Sequence, residues 1–187
     1  MKITKDTQRH SSTFMALLML VAAVLACSSG LETEKANKIG DEGNAAVAEG
    51  KKFYGDAEAK QQAMLQTNVR QLAEARTLAK EAIASYDKAE EKCKEAAKKY
   101  DEASKLKLSD KFKQYLEIKV KEYNKRAEVV ETAKGTPQAL IDSESRASFV
   151  SRANENNEKV DKLSKEAEDL AAQATKMEKD NPDMFKQ

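Results

Sequence analysis

Tryptophan is absent from this 187-residue chain, and histidine occurs once, at His10. There are two prolines, six glycines and two cysteines, Cys27 and Cys93. Each scarcity removes a class of chemistry. Beyond residue 26 no histidine remains, which excludes Ser-His-Asp and Cys-His nucleophilic sites and imidazole-ligated zinc or iron there. Diiron carboxylate bundles need a Glu-x-x-His motif and are excluded with them. Two cysteines are too few for a thiolate metal cluster, and no glycine-rich phosphate loop is present. Any catalysis would be left to carboxylate, lysine or tyrosine groups, and no cofactor is expected. Three of the 33 basic and one of the 32 acidic residues fall within the first 26, leaving 30 against 31 and a formal charge of −1. A near-neutral chain lacks the basic footprint of a nucleic-acid binder. The 161 residues after position 26 suffice for one domain. With so few large apolar side chains, a thick compact core is not expected, and a long, thin helical bundle is the natural alternative.

The N-terminal segment differs in kind from the rest. Lys2, Lys5 and Arg9 form a basic start, and Phe14 to Ala26 is an uncharged apolar run. As a helix this run would reach roughly 20 Å, short of a bilayer core of about 30 Å, so a cleaved secretory signal fits better than a spanning anchor. It closes in Val24-Leu25-Ala26-Cys27, a small residue directly before a cysteine. The segment resembles a bacterial lipoprotein signal with its lipobox. Val24 stands where that family most often has Leu. The resemblance covers residues 1–27 only. It implies cleavage between Ala26 and Cys27 and acylation of Cys27, and hence a membrane anchor in the cell envelope. Two or three acyl chains hold firmly where one holds only marginally. In a Gram-negative host, Ser28 after the cysteine would favour the outer membrane. The competing reading is an ordinary signal peptide that happens to contain a cysteine.

The remainder reads as all-α, an elongated antiparallel bundle of coiled-coil-like helices. From Asp56 to Lys134 there is neither Gly nor Pro, and Ala, Glu, Lys, Gln and Leu dominate. Leu72, Ala79, Tyr86, Cys93 and Tyr100 recur every seven residues, and Ala75, Ala82, Ala89, Ala96 and Ala103 follow three residues behind. This is an a/d seam, rich enough in alanine for close helix approach. The spacing predicts helices over about 36–65, 69–106, 109–134 and 137–178, after a lipidated tether at 27–35 and before a tail at 181–187. Ser109 is expected as an N-cap with Asp110 at the positive helix end. Gly135 is expected as a left-handed C-cap, with Thr136 and Pro137 opening the next helix. Gly40, Gly43 and Gly50 leave two readings of the first helix: a flexible stalk, or glycines kept in register for a tight helix contact, which the heptad spacing favours. A break is expected around Gln66-Thr67-Asn68.

Cys93 lies in the alanine seam. It reads as a small buried hydrophobe or, in an oxidising envelope, as the source of an intermolecular disulfide. Asn156, between Ala153 and Val160, reads as a register-fixing polar residue or as one at a widened, wet end of the bundle, and neither reading implies a ligand. Glu90-Glu91 and Asp142 with Glu144 are the acid–base candidates, but lysines nearby and a solvated face argue against them. Tyr86, Tyr100, Tyr115 and Tyr123 read as core with hydroxyls at the edge rather than as an aromatic groove. The expectation is a non-enzymatic envelope lipoprotein with a structural or adaptor role, bound to membrane through Cys27 and to another envelope protein or a second copy through helix faces. A rival is a carrier holding a small apolar ligand between helices.

Overall fold

The computed structural model describes residues 30–67 and 71–186. Five helices follow in order: α1 Gly30–Gln66, α2 Leu72–Ser104, α3 Asp110–Ala133, α4 Gly135–Asp142 and α5 Arg146–Asp180. No strand occurs among the described residues. The protein is an all-α bundle in which α1 packs on α2, α2 on α3, and α3 on α5, each antiparallel to the last. Bonds across the pairs fix this register: Tyr100 Oη donates to Asn44 Oδ1 (2.7 Å), Tyr86 Oη to Gln61 Oε1 (3.2 Å), and Tyr115 Oη to Glu178 Oε1 (2.8 Å). At 1.5 Å per residue, α1 is about 55 Å long.

The alanine seam of α2 does what its spacing requires. Ala79, Ala82, Ala89, Ala96 and Ala103 are fully buried, and Ala75 nearly so. Alanine carries no side chain to hold the helices apart, so α1 can lie close. Gly43 and Gly50 sit in that contact: a Cβ on Gly43 would stand 3.3 Å from Tyr100 Cε2, and one on Gly50 3.1 Å from Lys92 Cβ. The helix therefore continues through these glycines, and it begins at Gly30, so residues 30–35 of the expected tether are helical and Thr33 is buried. Leu72, which opens the seam in the sequence, is instead 46% exposed.

Two turns differ from expectation. Ser109 caps α3 as read, its Oγ accepting from Phe112 N at 3.3 Å. Gly135, however, is not left-handed, and Lys134 before it is right-handed helical (φ −57°, ψ −24°). The chain does not reverse there. α3 ends at Ala133 and α4 opens at Gly135, with Pro137 in its first turn, where a missing N–H is tolerated, and α4 packs against α2 and α5. The reversal comes at Ser143-Glu144-Ser145, where Ser145 Oγ accepts from Ser148 N at 3.2 Å and caps α5. The expected helix 137–178 is thus two elements. Because α4 extends the path of α3, the long overhanging seam implied by unequal helix lengths does not exist.

The core falls into three clusters along the rod. One, near Gly30, joins Ala36, Ala46, Ala96, Tyr100, Ala103, Phe112, Leu116 and Tyr123. A middle one centres on Tyr86 and Val130. The third, at the far end, holds Met64, Ala75 and Ala79 with half-buried Leu140, Ile141 and Phe149. The tail is not loose: Met184 is buried and Phe185 packs on the first cluster.

Candidate interaction surface and interior sites

The tyrosines lie in the core. Tyr86, Tyr100 and Tyr123 are buried, and Tyr115 is half-buried. Tyr100 and Tyr123 stack at 5.5 Å between centroids, and Tyr54 meets Tyr86 edge-on at 5.6 Å. Burial raises the pKa of all four core tyrosines above the ordinary phenol range, so they stay neutral donors.

Between α1, α2 and α3 lies a cavity of about 20 Å³, bounded by Val47, Gly50, Lys51, Tyr54, Cys93 and Tyr123, among others. That is room for about one water, far below the several hundred cubic ångströms a drug-sized ligand needs. Cys93 borders it, half-buried and free, and burial pushes its thiol up to about 11. A thiol so placed is almost entirely protonated near neutrality and reacts slowly. This setting favours the small-hydrophobe reading over the disulfide.

One charged feature was not foreseen. Glu122 is only 2% exposed, on the inner side of α3. Lys119 Nζ reaches it at 2.7 Å and Arg126 Nε at 2.8 Å. Both cations also lie over the Tyr123 ring, at 4.7 and 5.9 Å. Desolvation, the Arg126 guanidinium and Lys119 lower the pKa of nearby Lys51, with Glu122 acting the other way. In the sequence Lys119, Glu122 and Arg126 stand at i, i+3 and i+7, which groups them on one helix face but does not say that the face turns inward. A charge pair so deep is strongly damaged by removal of one partner.

The acid–base candidates are not brought together. Burial raises the Glu90 carboxyl, but its contacts with Glu131, Lys134 and Lys94 outweigh that and bring it down to about 2. Lys134 Nζ lies 2.7 Å from Glu90 and 2.9 Å from Asp87. Such a carboxyl is the opposite of a general acid. Glu91, Asp142 and Glu144 are exposed. Glu58 is raised by desolvation, opposed by its bond with Tyr54, yet it does not border the cavity. Asn156 lies against Gly135 and its Nδ2 donates to Thr136 Oγ1 at 3.0 Å, fastening α5 to α4. A Cβ on Gly135 would stand 2.3 Å from Asn156 Oδ1, which is why glycine is needed there. Beside them is an open cleft of about 250 Å³ walled by Gln138, Asp142, Arg152, Glu155 and Lys159. No group of three or more His, Cys, Asp or Glu residues suited to a metal occurs among the described residues. Nor is any described helix long and apolar enough to cross a membrane.

The exposed large apolar side chains among the described residues are Leu65 (50%), Leu72 (46%) and Val150 (44%). They come from the end of α1, the start of α2 and the start of α5, all at the end of the bundle opposite Gly30. Their sequence neighbours Met64, Ala75 and Phe149 form the third core cluster beneath. The expected lipidation and cleavage positions, Ala26 and Cys27, lie outside the described residues. Comparisons of the chain with family models, curated proteins and solved structures found no match.

Proposed function

We propose that this protein is a non-enzymatic envelope lipoprotein, anchored through acyl chains on Cys27, that acts as an adaptor at the end of its bundle farthest from the anchor. The observation that carries the reading is the gathering of Leu65, Leu72 and Val150 at that one end, opposite Gly30. Apolar side chains exposed together and rimmed by polar ones mark interaction surfaces. The sequence places the anchor a few residues before Gly30. A bundle roughly 50 Å long would then carry its exposed apolar end well away from the lipid. The filled tyrosine core and the one-water cavity weigh against the carrier reading. The depressed Glu90 and the scattered remaining carboxyls weigh against a hydrolase.

Mass spectrometry of the mature protein from envelope fractions tests the anchor. The expected N-terminus is Cys27 bearing a diacylglyceryl group and an N-acyl chain. An intact leader, or an unmodified thiol on a soluble chain, would refute it.

A further inference from the structure

The small cavity between α1, α2 and α3 is walled by hydrogen-bond donors. Lys51 comes from α1, Cys93 from α2, and Tyr123 and Arg126 from α3, with another tyrosine, two valines and a glycine completing the wall. Among the described residues no carboxylate borders it. An ammonium and a guanidinium donate hydrogen bonds and accept none. The Cys93 thiol, kept protonated by burial, can donate as well. Tyr123 Oη accepts from Lys119 Nζ at 3.5 Å, which leaves its own O–H to give. The Tyr54 hydroxyl is bonded to Glu58, and Glu58 lies outside the wall.

Charge is out of balance at the same place. Both oxygens of Glu122, the acid of the cluster, are engaged: Oε1 by Arg126 Nε at 2.8 Å and Oε2 by Lys119 Nζ at 2.7 Å. Lys51 is half-buried and has no hydrogen bond or ion pair with a described residue. Burial and the Arg126 guanidinium lower its pKa, and of the charges acting on it two are cations, Arg126 and Lys119, and one is Glu122. An ammonium withdrawn from water without a partner is costly, and the cost falls when an anion joins it.

We infer that this cavity binds one monatomic anion of chloride size, held between the Lys51 ammonium of α1 and the Arg126 guanidinium of α3, with the Cys93 thiol and the Tyr123 hydroxyl as further donors. A buried water needs two to four polar partners and uses its own protons as well as its lone pairs. A halide is little larger than a water, only accepts, and carries the charge that the cluster lacks. Phosphate and sulfate are too large for about 20 Å³. The bound anion ties α1 to α3, two helices that otherwise meet mainly through α2. The site lies in the body of the rod and does not depend on the adaptor surface at its end.

The test is a thermal melt of the purified chain in sodium chloride, sodium bromide and sodium gluconate at equal ionic strength. Gluconate is too large to enter and serves as the reference. Chloride and bromide should each raise the midpoint by about 3 °C over gluconate, as for a site filled in the folded state alone. The rise should vanish in Lys51→Met and persist in Lys52→Met, whose side chain is exposed and outside the wall. Crystals grown in bromide should show the anomalous signal of bromine between Lys51 and Arg126. Equal midpoints in the three salts, or a rise that survives Lys51→Met, would overturn the site. A water in the cavity of bromide-grown crystals, or bromide found only on the surface, would overturn it whatever the melts show. The crystal readout uses the unaltered chain, so it decides the outcome even if Lys51→Met fails to fold.

Discussion

At the end that carries Gly30, Phe185 turns back onto Phe112 and Tyr115, edge to face at 5.1 and 5.2 Å, and its carbonyl accepts from Asn37 Nδ2 at 3.2 Å. Lys111 Nζ ties Asn181 to the start of α3 at 2.5 Å. At the opposite end no tail arrives among the described residues, and Leu65, Leu72 and Val150 are 44–50% exposed there. The same alanine-rich rod is thus closed by its own chain on one side and left apolar on the other. Burial of an end costs nothing that the second end could not also have met, since a few aromatic residues suffice. The difference teaches that the exposed end is not forced by the architecture.

The contrast can be broken most sharply at Phe112, which is 2% exposed and holds the closed end together. Phe112→Ala should lose about 3–5 kcal/mol in urea melts, the range for a buried Phe truncated to Ala. Phe185→Ala removes two edge-to-face contacts from a half-buried site and should cost about 2 kcal/mol by the same measurement. An unchanged midpoint would mean that the tail does not seal that end. Gly135→Ala, in the half nearer the open end, should cost about 1 kcal/mol by displacing Asn156 from Thr136. In an Asn156→Ala background the same change should become neutral or mildly stabilising, because alanine favours helix over glycine. A cost that persists there would place the strain in the backbone instead.

Acid sharpens the comparison from the middle of the rod. The Glu90 carboxyl is held below its ordinary value when folded, so its contribution is complete above about pH 4.5 and is lost as pH falls towards about 2. The difference in melting temperature between the parent and Glu90→Gln should therefore shrink across that window. A constant difference would show that Lys134 and Lys94 do not act through the charge. The smallest effect is expected at the open end: Leu72→Ser should leave the melt within about 0.5 kcal/mol of the parent. A large loss there would mean that Leu72 is part of the core.

Much of this was readable before the fold was seen, and the misses have particular causes. The seam of α2, the Ser109 cap and the register of Gly43 and Gly50 follow from short-range rules, since cap chemistry and seven-residue spacing act within one or two turns. A helix does open at Gly135-Thr136-Pro137, but the reversal comes later, at Ser143–Ser145, because the new helix keeps the direction of α3. Whether the chain turns back where a helix opens depends on what packs beyond it, here α2 and α5 against α4. Glu122 was passed over because its burial arises from three helices at once, and no pattern on α3 alone says which charged face turns inward. The apolar end was hidden for the same reason: Leu72 keeps the seam's spacing but stands past the last turn of α1 that could cover it.

The seam repeats every seven residues, with alanine at every second step and tyrosine, cysteine or alanine between, and each repeat adds about 10 Å to a helix. Spacing between the sealed and the open extremity is therefore a matter of how many repeats are stacked, independent of what either extremity is made of. Adding or removing one heptad in register from each long helix would lengthen or shorten the protein's reach as a ruler is cut, while both terminal surfaces kept their chemistry.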